Sequence, residues 1–262
     1  MNQRLSESPV ARPFRIPGAD RPGDLRFAYF NLKGHPRGEL MLHRLIGAGF
    51  VPSLVIDEDS PLAAGLLAAQ FRQLGQVAAF TPPTPLETVC KTLDIRYETV
   101  GNHNDADTVA VLAEAAPSLG VLGDTRIMRA RVIDALPHGI VNVHPGLLPS
   151  VRGNNPYLWS VVHGLPQGAT AHLIDTGVDR GPIMLARELE LTAGTTLPEL
   201  IHTINTLCAD VVVTALSQLT SGTATLTEQP ADDAVTFREA RPEIWSLVET
   251  ILRERAGAAA RR

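Results

Sequence analysis

From residue 25 onward, short apolar runs alternate with stretches whose apolar residues recur every three or four positions. The runs predict strands over Arg26–Phe30, Val51–Ile56, Ile95–Val100, Leu119–Leu122 and Gly139–Val143. The helical spacing predicts helices between them. Glu39–Gly49 carries Leu42, Leu45 and Ile46 on one side. Pro61–Leu74, Leu86–Leu93 and Arg129–Leu136 follow the same logic, and Asp105–Ala115 has Asp105 placed to cap its start. Further on, a short helix is expected over Tyr157–His163 and strands over Ala169–Ile174 and Ile183–Leu191. A long helix over Leu197–Leu219 comes next, then a polar, turn-rich stretch over 222–241. The last helix, Pro242–Arg255, has Trp245 and Leu247 on one side.

Strands alternating with helices imply right-handed βαβ units. The expected fold class is therefore α/β, a Rossmann-like, mostly parallel sheet with helices on both faces. The chain has 262 residues, of which 44% are hydrophobic, enough for one large core. The expected organisation is a flexible N-terminal arm over 1–24, a catalytic domain over 25–220 and a short C-terminal appendage over 221–262. Prolines at 9, 13, 17 and 22 and the lack of an apolar run set the arm apart and argue against a signal peptide. No segment reads as a membrane span. The formal net charge of −5 argues against nucleic-acid binding by bulk charge. Cys90 and Cys208 have no metal-ligand spacing and read as thiols of a reducing compartment. A cytoplasmic location is expected. Trp245 on the tail suggests a homodimer contact.

In such sheets, ligands bind beyond the carboxyl ends of the strands. Two loops fall there, 123–128 and 142–149. The second reads Asn142-Val-His144-Pro-Gly-Leu-Leu-Pro149. Strand alternation sends Asn142 and His144 to one face. Pro145 and Pro149 stiffen the chain behind them, as a preorganised site requires; a core histidine beside a capping asparagine is the alternative. A third element, Asp175-Thr176-Gly177-Val178-Asp179-Arg-Gly-Pro182, lies between two strands. Alone it is a turn, and its spacing does not complete a hand-type calcium loop.

Together, Asn142-x-His144-Pro-x-Leu-Leu-Pro149, Arg152-Gly153 and Asp179-Arg-Gly-Pro182 resemble the folate-dependent formyltransferases. That family includes glycinamide ribonucleotide, methionyl-tRNA and amino-sugar N-formyltransferases. The resemblance spans roughly 26–220 and is firmest over 119–190. It implies that Asn142, His144 and Asp179 are the catalytic trio and that 10-formyltetrahydrofolate is the formyl donor. Asn142 and a protonated His144 would donate to the oxyanion formed when an amine attacks the formyl carbon. Asp179 would orient His144, raise its proton affinity and help move the amine proton. No metal is needed. The resemblance also implies that Arg126, Ile127 and Met128 bind the pterin ring, with Asp175, Thr176, Gly177 and Val178 closing the other side.

The acceptor is less legible. Lys33, His35 and Arg37 follow the first strand, where the glycinamide ribonucleotide enzymes carry a phosphate-holding loop. They would meet an anion or form a solvated basic loop. Asn102 and His103 would contact the acceptor or belong to a polar helix-capping loop. Arg152 would line the amine pocket or shape the turn into the next helix; Asn155 could supply a hydrogen bond. Methionyl-tRNA formyltransferases carry a further C-terminal barrel and a basic surface, whereas about forty residues follow the core here. The expected activity is N-formylation of a small-molecule primary amine: an amino sugar, an amino acid or a specialised-metabolite amine. The alternatives are 10-formyltetrahydrofolate hydrolysis and a methionyl-tRNA formyltransferase-like activity.

Overall fold

A computed structural model describes residues 10–230 and 235–259. In chain order the strands are β1 (Ala11–Pro13), β2 (Phe27–Leu32), β3 (Leu54–Glu58), β4 (Arg96–Val100), β5 (Leu119–Leu122), β6 (Ile140–His144), β7 (Arg152–Gly153), β8 (Gln167–Leu173), β9 (Ile183–Leu189), β10 (Thr225–Thr227) and β11 (Thr236–Phe237). The helices are α1 (Pro36–Gly47), α2 (Pro61–Leu74), α3 (Leu86–Leu93), α4 (Ala106–Ala115), α5 (Ala130–Ile133), α6 (Pro156–His163), α7 (Leu197–Thr220) and α8 (Pro242–Ala259).

Nine strands form one sheet in the order β1-β10-β9-β8-β6-β5-β2-β3-β4. From β4 to β6 the pairing is parallel. From β6 through β8, β9 and β10 to β1 it is antiparallel. The α/β architecture is as the alternation implies, with an antiparallel half added. The parallel centre explains the continuous apolar runs: β2 and β5 are buried along their whole length because helices cover both faces. The chain leaves β2 toward β3 on one side and returns through β5 on the other. The crevice at this reversal opens between the loops after β2 and β5, with β6 next in line.

α7 is long and apolar enough to cross a membrane by length and composition, a feature the strand-and-helix reading passed over. Here it is the central core helix. Val211, Val212, Ala215 and Leu216 are buried in the main core cluster. Its start carries a full capping box, Thr196 accepting from the Glu199 N–H while Glu199 accepts from Thr196.

Residues 10–24 do not form a loose arm. β1 pairs with β10 at the sheet edge, Phe14 N–H bonds Ala224 C=O at 2.9 Å, and Ile16 and Ala19 enter the main core. The arm's first nine residues lie outside the described ones. Nor do the described residues after 220 stand apart. β10 completes the main sheet, β11 pairs with β7, and α8 buries Val248 and Leu252 with Leu158 and Val161 of α6. Trp245 packs on that same cluster and donates to Ala240 C=O at 3.3 Å, so this ring serves the chain's own core. Asp105 sits at the cap position of α4 without a side-chain cap bond.

Two carboxyl groups sit within the covered layer near β2. Burial pushes Glu39 of α1 up to about 7, with Asp57 adding to the rise. Burial likewise lifts Asp57 of β3 to about 6 against the hydrogen bond from Tyr97 at 2.8 Å. Their ordinary values are 4.5 and 3.8. Between about pH 4 and 7 the unfolded chain therefore releases protons that the folded chain retains, and stability falls as pH rises. Glu39→Gln is expected to flatten this decline, raising the thermal midpoint at pH 8 relative to the parent more than at pH 5. Midpoints measured at both pH values check it.

Candidate active site

The carboxyl end of β6 carries the expected pair. Antiparallel pairing sets Asn142 opposite His172 and His144 opposite Thr170, and opposed residues project to the same face. Asn142 Nδ2 lies 3.1 Å from His172 Nε2. His172 Nδ1 lies 2.9 Å from Leu173 C=O. A carbonyl only accepts, so Nδ1 holds a proton, and in the neutral ring Nε2 accepts from Asn142. That chain of bonds fixes which way the Asn142 amide points.

His144 is 3% exposed. Its Nε2 donates to Val151 C=O at 2.8 Å, and its Nδ1 lies 3.5 Å from Asp179 Oδ2. Asp179 Oδ1 lies 3.6 Å from His172 Nε2. Thus Asp179, which follows His144 by 35 positions, touches both histidines. Burial alone would raise the Asp179 carboxyl. The neighbouring His144 and His172 and the Gly153 N–H, at 2.8 Å, overcome that and hold it at about 2. For His144, burial is the larger influence and lowers its proton affinity, while Asp179 pulls the other way. The net direction is down, opposite to the rise expected from Asp179 alone.

The loop behind β6 is held by Thr170. Its hydroxyl donates to Gly146 C=O at 2.8 Å and accepts from Leu148 N–H at 3.1 Å. The Gly177 N–H bonds Asp175 Oδ1 at 2.8 Å in the loop that delivers Asp179. Asp175 and Thr176 are exposed, and Gly177 and Val178 are half-buried.

The 126–128 segment leaves β5, the parallel neighbour of β6, at the same edge of the sheet. Ile127 is 70% exposed while Met128 is buried in the core beneath. Arg126 makes a two-pronged pair with the fully buried Glu58. Asn104 donates to Ile127 C=O at 2.9 Å and accepts from Arg129 N–H at 2.7 Å. An exposed apolar side chain on a backbone pinned at both ends suits a flat heteroaromatic ring.

The proposed acceptor residues fall elsewhere. His103 is fully buried; its N–H bonds Glu58 at 2.9 Å and its Nε2 bonds Ile56 C=O at 3.1 Å. Asn102 accepts from Asn104 N–H at 2.9 Å. This pair therefore braces the 126–128 segment from behind. Arg152 is 1% exposed and donates to Gln229. Asn155 adopts a left-handed backbone and accepts from Ala240 N–H at 3.0 Å. His35 and Arg37 are turned inward onto Asp124 rather than into solvent. Lys33 of that loop is half-buried, near Asp59 and Glu87.

A family model described as Formyl transferase matches residues 68–216, more than half of the chain. The chain belongs to this family. Methionyl-tRNA formyltransferase of Roseiflexus sp. is 34% identical over 153 residues, covering 58% of this chain and 46% of that protein. The one from Acidobacterium capsulatum is 31% identical over 197 residues, covering 74% and 58%. The chain thus spans roughly half the length of these curated relatives. Among solved structures, glycinamide ribonucleotide transformylase 1 from Symbiobacterium toebii aligns with a TM-score of 0.57 at 20% identity, over 76% of this chain and 89% of that one. A sugar N-formyltransferase from a Shewanella species aligns with a TM-score of 0.59 at 16% identity, over 88% and 87%. These likenesses establish a formyltransferase fold.

The structure adds three residues to this neighbourhood that the sequence did not single out: His172 beside Asn142, Glu58 behind Arg126 and Gln229 behind Arg152. Of these, His172 alone lies in an element the sequence predicts, the strand that leads to Asp179 seven positions on.

Proposed function

We propose that this formyl transferase family member moves the formyl group of 10-formyltetrahydrofolate to the primary amine of a small molecule. The carrying observation is the convergence of Asn142, His144, His172 and Asp179 at the end of β6, beside the apolar Ile127–Met128 edge. The acceptor nitrogen attacks the formyl carbon and a C–N bond forms. Asn142, its amide set by His172, donates to the oxyanion. Neutral His144, its Nε2–H committed to Val151, takes the amine proton on Nδ1, and Asp179 stabilises the resulting imidazolium. Collapse breaks the bond to N10 of the folate, which takes up a proton and leaves as tetrahydrofolate. This division of labour makes Asn142 the main oxyanion donor and His144 the base.

An amino sugar, an amino acid or a specialised-metabolite amine fits the reading. The net charge of −5 supports a small acceptor over a polyanion. Cys90 and Cys208, free and buried, suit the cytoplasm that we assign to it. A second reading takes methionyl-tRNA as acceptor, favoured by the names of the curated relatives. Tetrahydrofolate release is measured with no acceptor, with a pool of amino sugars and amino acids, and with methionyl-tRNA. Release only with the pool is expected. Release only with methionyl-tRNA would establish the second reading, and equal release without acceptor would leave a hydrolase.

A further inference from the structure

Gln229 lies just past β10, beyond the residues 68–216 that the family shares. Its amide joins three parts of the site. Its Oε1 accepts from Arg152 Nε at 3.2 Å and Nη2 at 2.8 Å. Its Nε2 donates to the carbonyls of Asp179, at 2.9 Å, and Gly181, at 2.8 Å. Two carbonyls can only accept and a guanidinium can only donate, so these four bonds permit one orientation of the amide. Asp179 holds a left-handed backbone, φ 52°, a conformation that residues with a Cβ adopt sparingly and Asp more readily than most, and the two bonds from Gln229 lie on its carbonyl and the one two residues on.

The same C-terminal segment also supports the turn that bonds the carboxylate. Gly153, which donates to Asp179 Oδ2, sits at φ 92° against Phe237, and a Cβ there would strike the Phe237 carbonyl. Asn154 N–H bonds that carbonyl at 3.0 Å. Gln229 therefore holds the backbone of Asp179, and Phe237 holds the Gly153 turn that meets its side chain. We infer that Gln229 is a positioning residue for Asp179, supplied by the C-terminal segment, and that it sets the approach of the carboxylate to His144. The inference rests on the catalytic reading of Asp179 given above.

Gln229→Glu keeps an oxygen for Arg152 but sets a second oxygen against the two carbonyls. Gln229→Met keeps the length and removes every bond. Steady-state kinetics and pH–rate profiles of the full chain are compared with those of Asp179→Asn. Displacing the carboxylate is expected to lower kcat by roughly 10–100-fold, the loss that a misplacement of about 1 Å brings. KM for folate and amine should move less than threefold. The acid limb of kcat should shift to lower pH, because a His144 imidazolium without its carboxylate gives up its proton sooner. Should Gln229→Glu not fold, Gln229→Met carries the test. Full activity in the Gln229 variants beside an inactive Asp179→Asn overturns this inference alone. So does a loss that only follows the folded fraction, with an unmoved pH profile. An active Asp179→Asn overturns the catalytic reading of Asp179 and this inference with it.

Discussion

Asn142→Ala is expected to lower kcat by roughly 10²–10³-fold, the loss that follows removal of one well-placed oxyanion donor. The fold should survive. Asn142 is half-buried within β6, and its side chain bonds His172. Truncation leaves His172 Nε2 without that donor beside a partly open site, a modest stability cost. KM for the folate should change little, because the 126–128 edge is built by Asn104 and Glu58 on other strands and loops. A drop in kcat with a near-parental circular dichroism melt is the expected pair of readings. A drop that only tracks unfolding would remove Asn142 from the chemistry.

Asp179→Asn should cost roughly 10²–10⁴-fold in kcat, the range for loss of acid–base assistance. The amide can still accept from Gly153 N–H, so the loop should keep its course. It cannot stabilise an imidazolium. The pH behaviour separates this from a structural defect. Burial already lowers the proton affinity of His144, and Asp179 opposes that. Removing the charge therefore moves the acid limb of the rate profile further down. Stability should respond as well. Asp179 is held at about 2 against an ordinary 3.8, so its stabilising contribution is present above pH 3.8 and fades as pH falls toward 2. The parent should lose stability across that window, and Asp179→Asn should lack this part of the loss. Denaturant melts at pH 5 and about pH 2.5 check it.

The periodicity of the sequence located the long elements because burial dictates them. β5, α2 and α3 fall where the apolar spacing puts them. β1, β7, β10 and β11 have two or three residues each and no periodicity to read; they exist through pairing partners more than 40 positions away. The Asn142–His144 face was legible because strand alternation is local. Asp179 was legible through its loop and the family likeness. His172 was not, because its role depends on the register of β8 against β6. Gln229 was invisible for a similar reason: its amide acts across 50 and 77 positions of chain. Polarity alone left His103 and Arg152 between an acceptor contact and a structural role. The fold uses them as buried braces, a choice that depends on Glu58 and Gln229 lying opposite them.

The most direct measurement follows the carbon. The chain is supplied with 10-formyltetrahydrofolate labelled with ¹³C at the formyl group and with a pool of primary amines, and the products are resolved by mass spectrometry. The account predicts a labelled N-formyl derivative of one amine, formed in step with tetrahydrofolate release and absent with Asn142→Ala. Label recovered only as free formate, at a rate indifferent to amines, would contradict it.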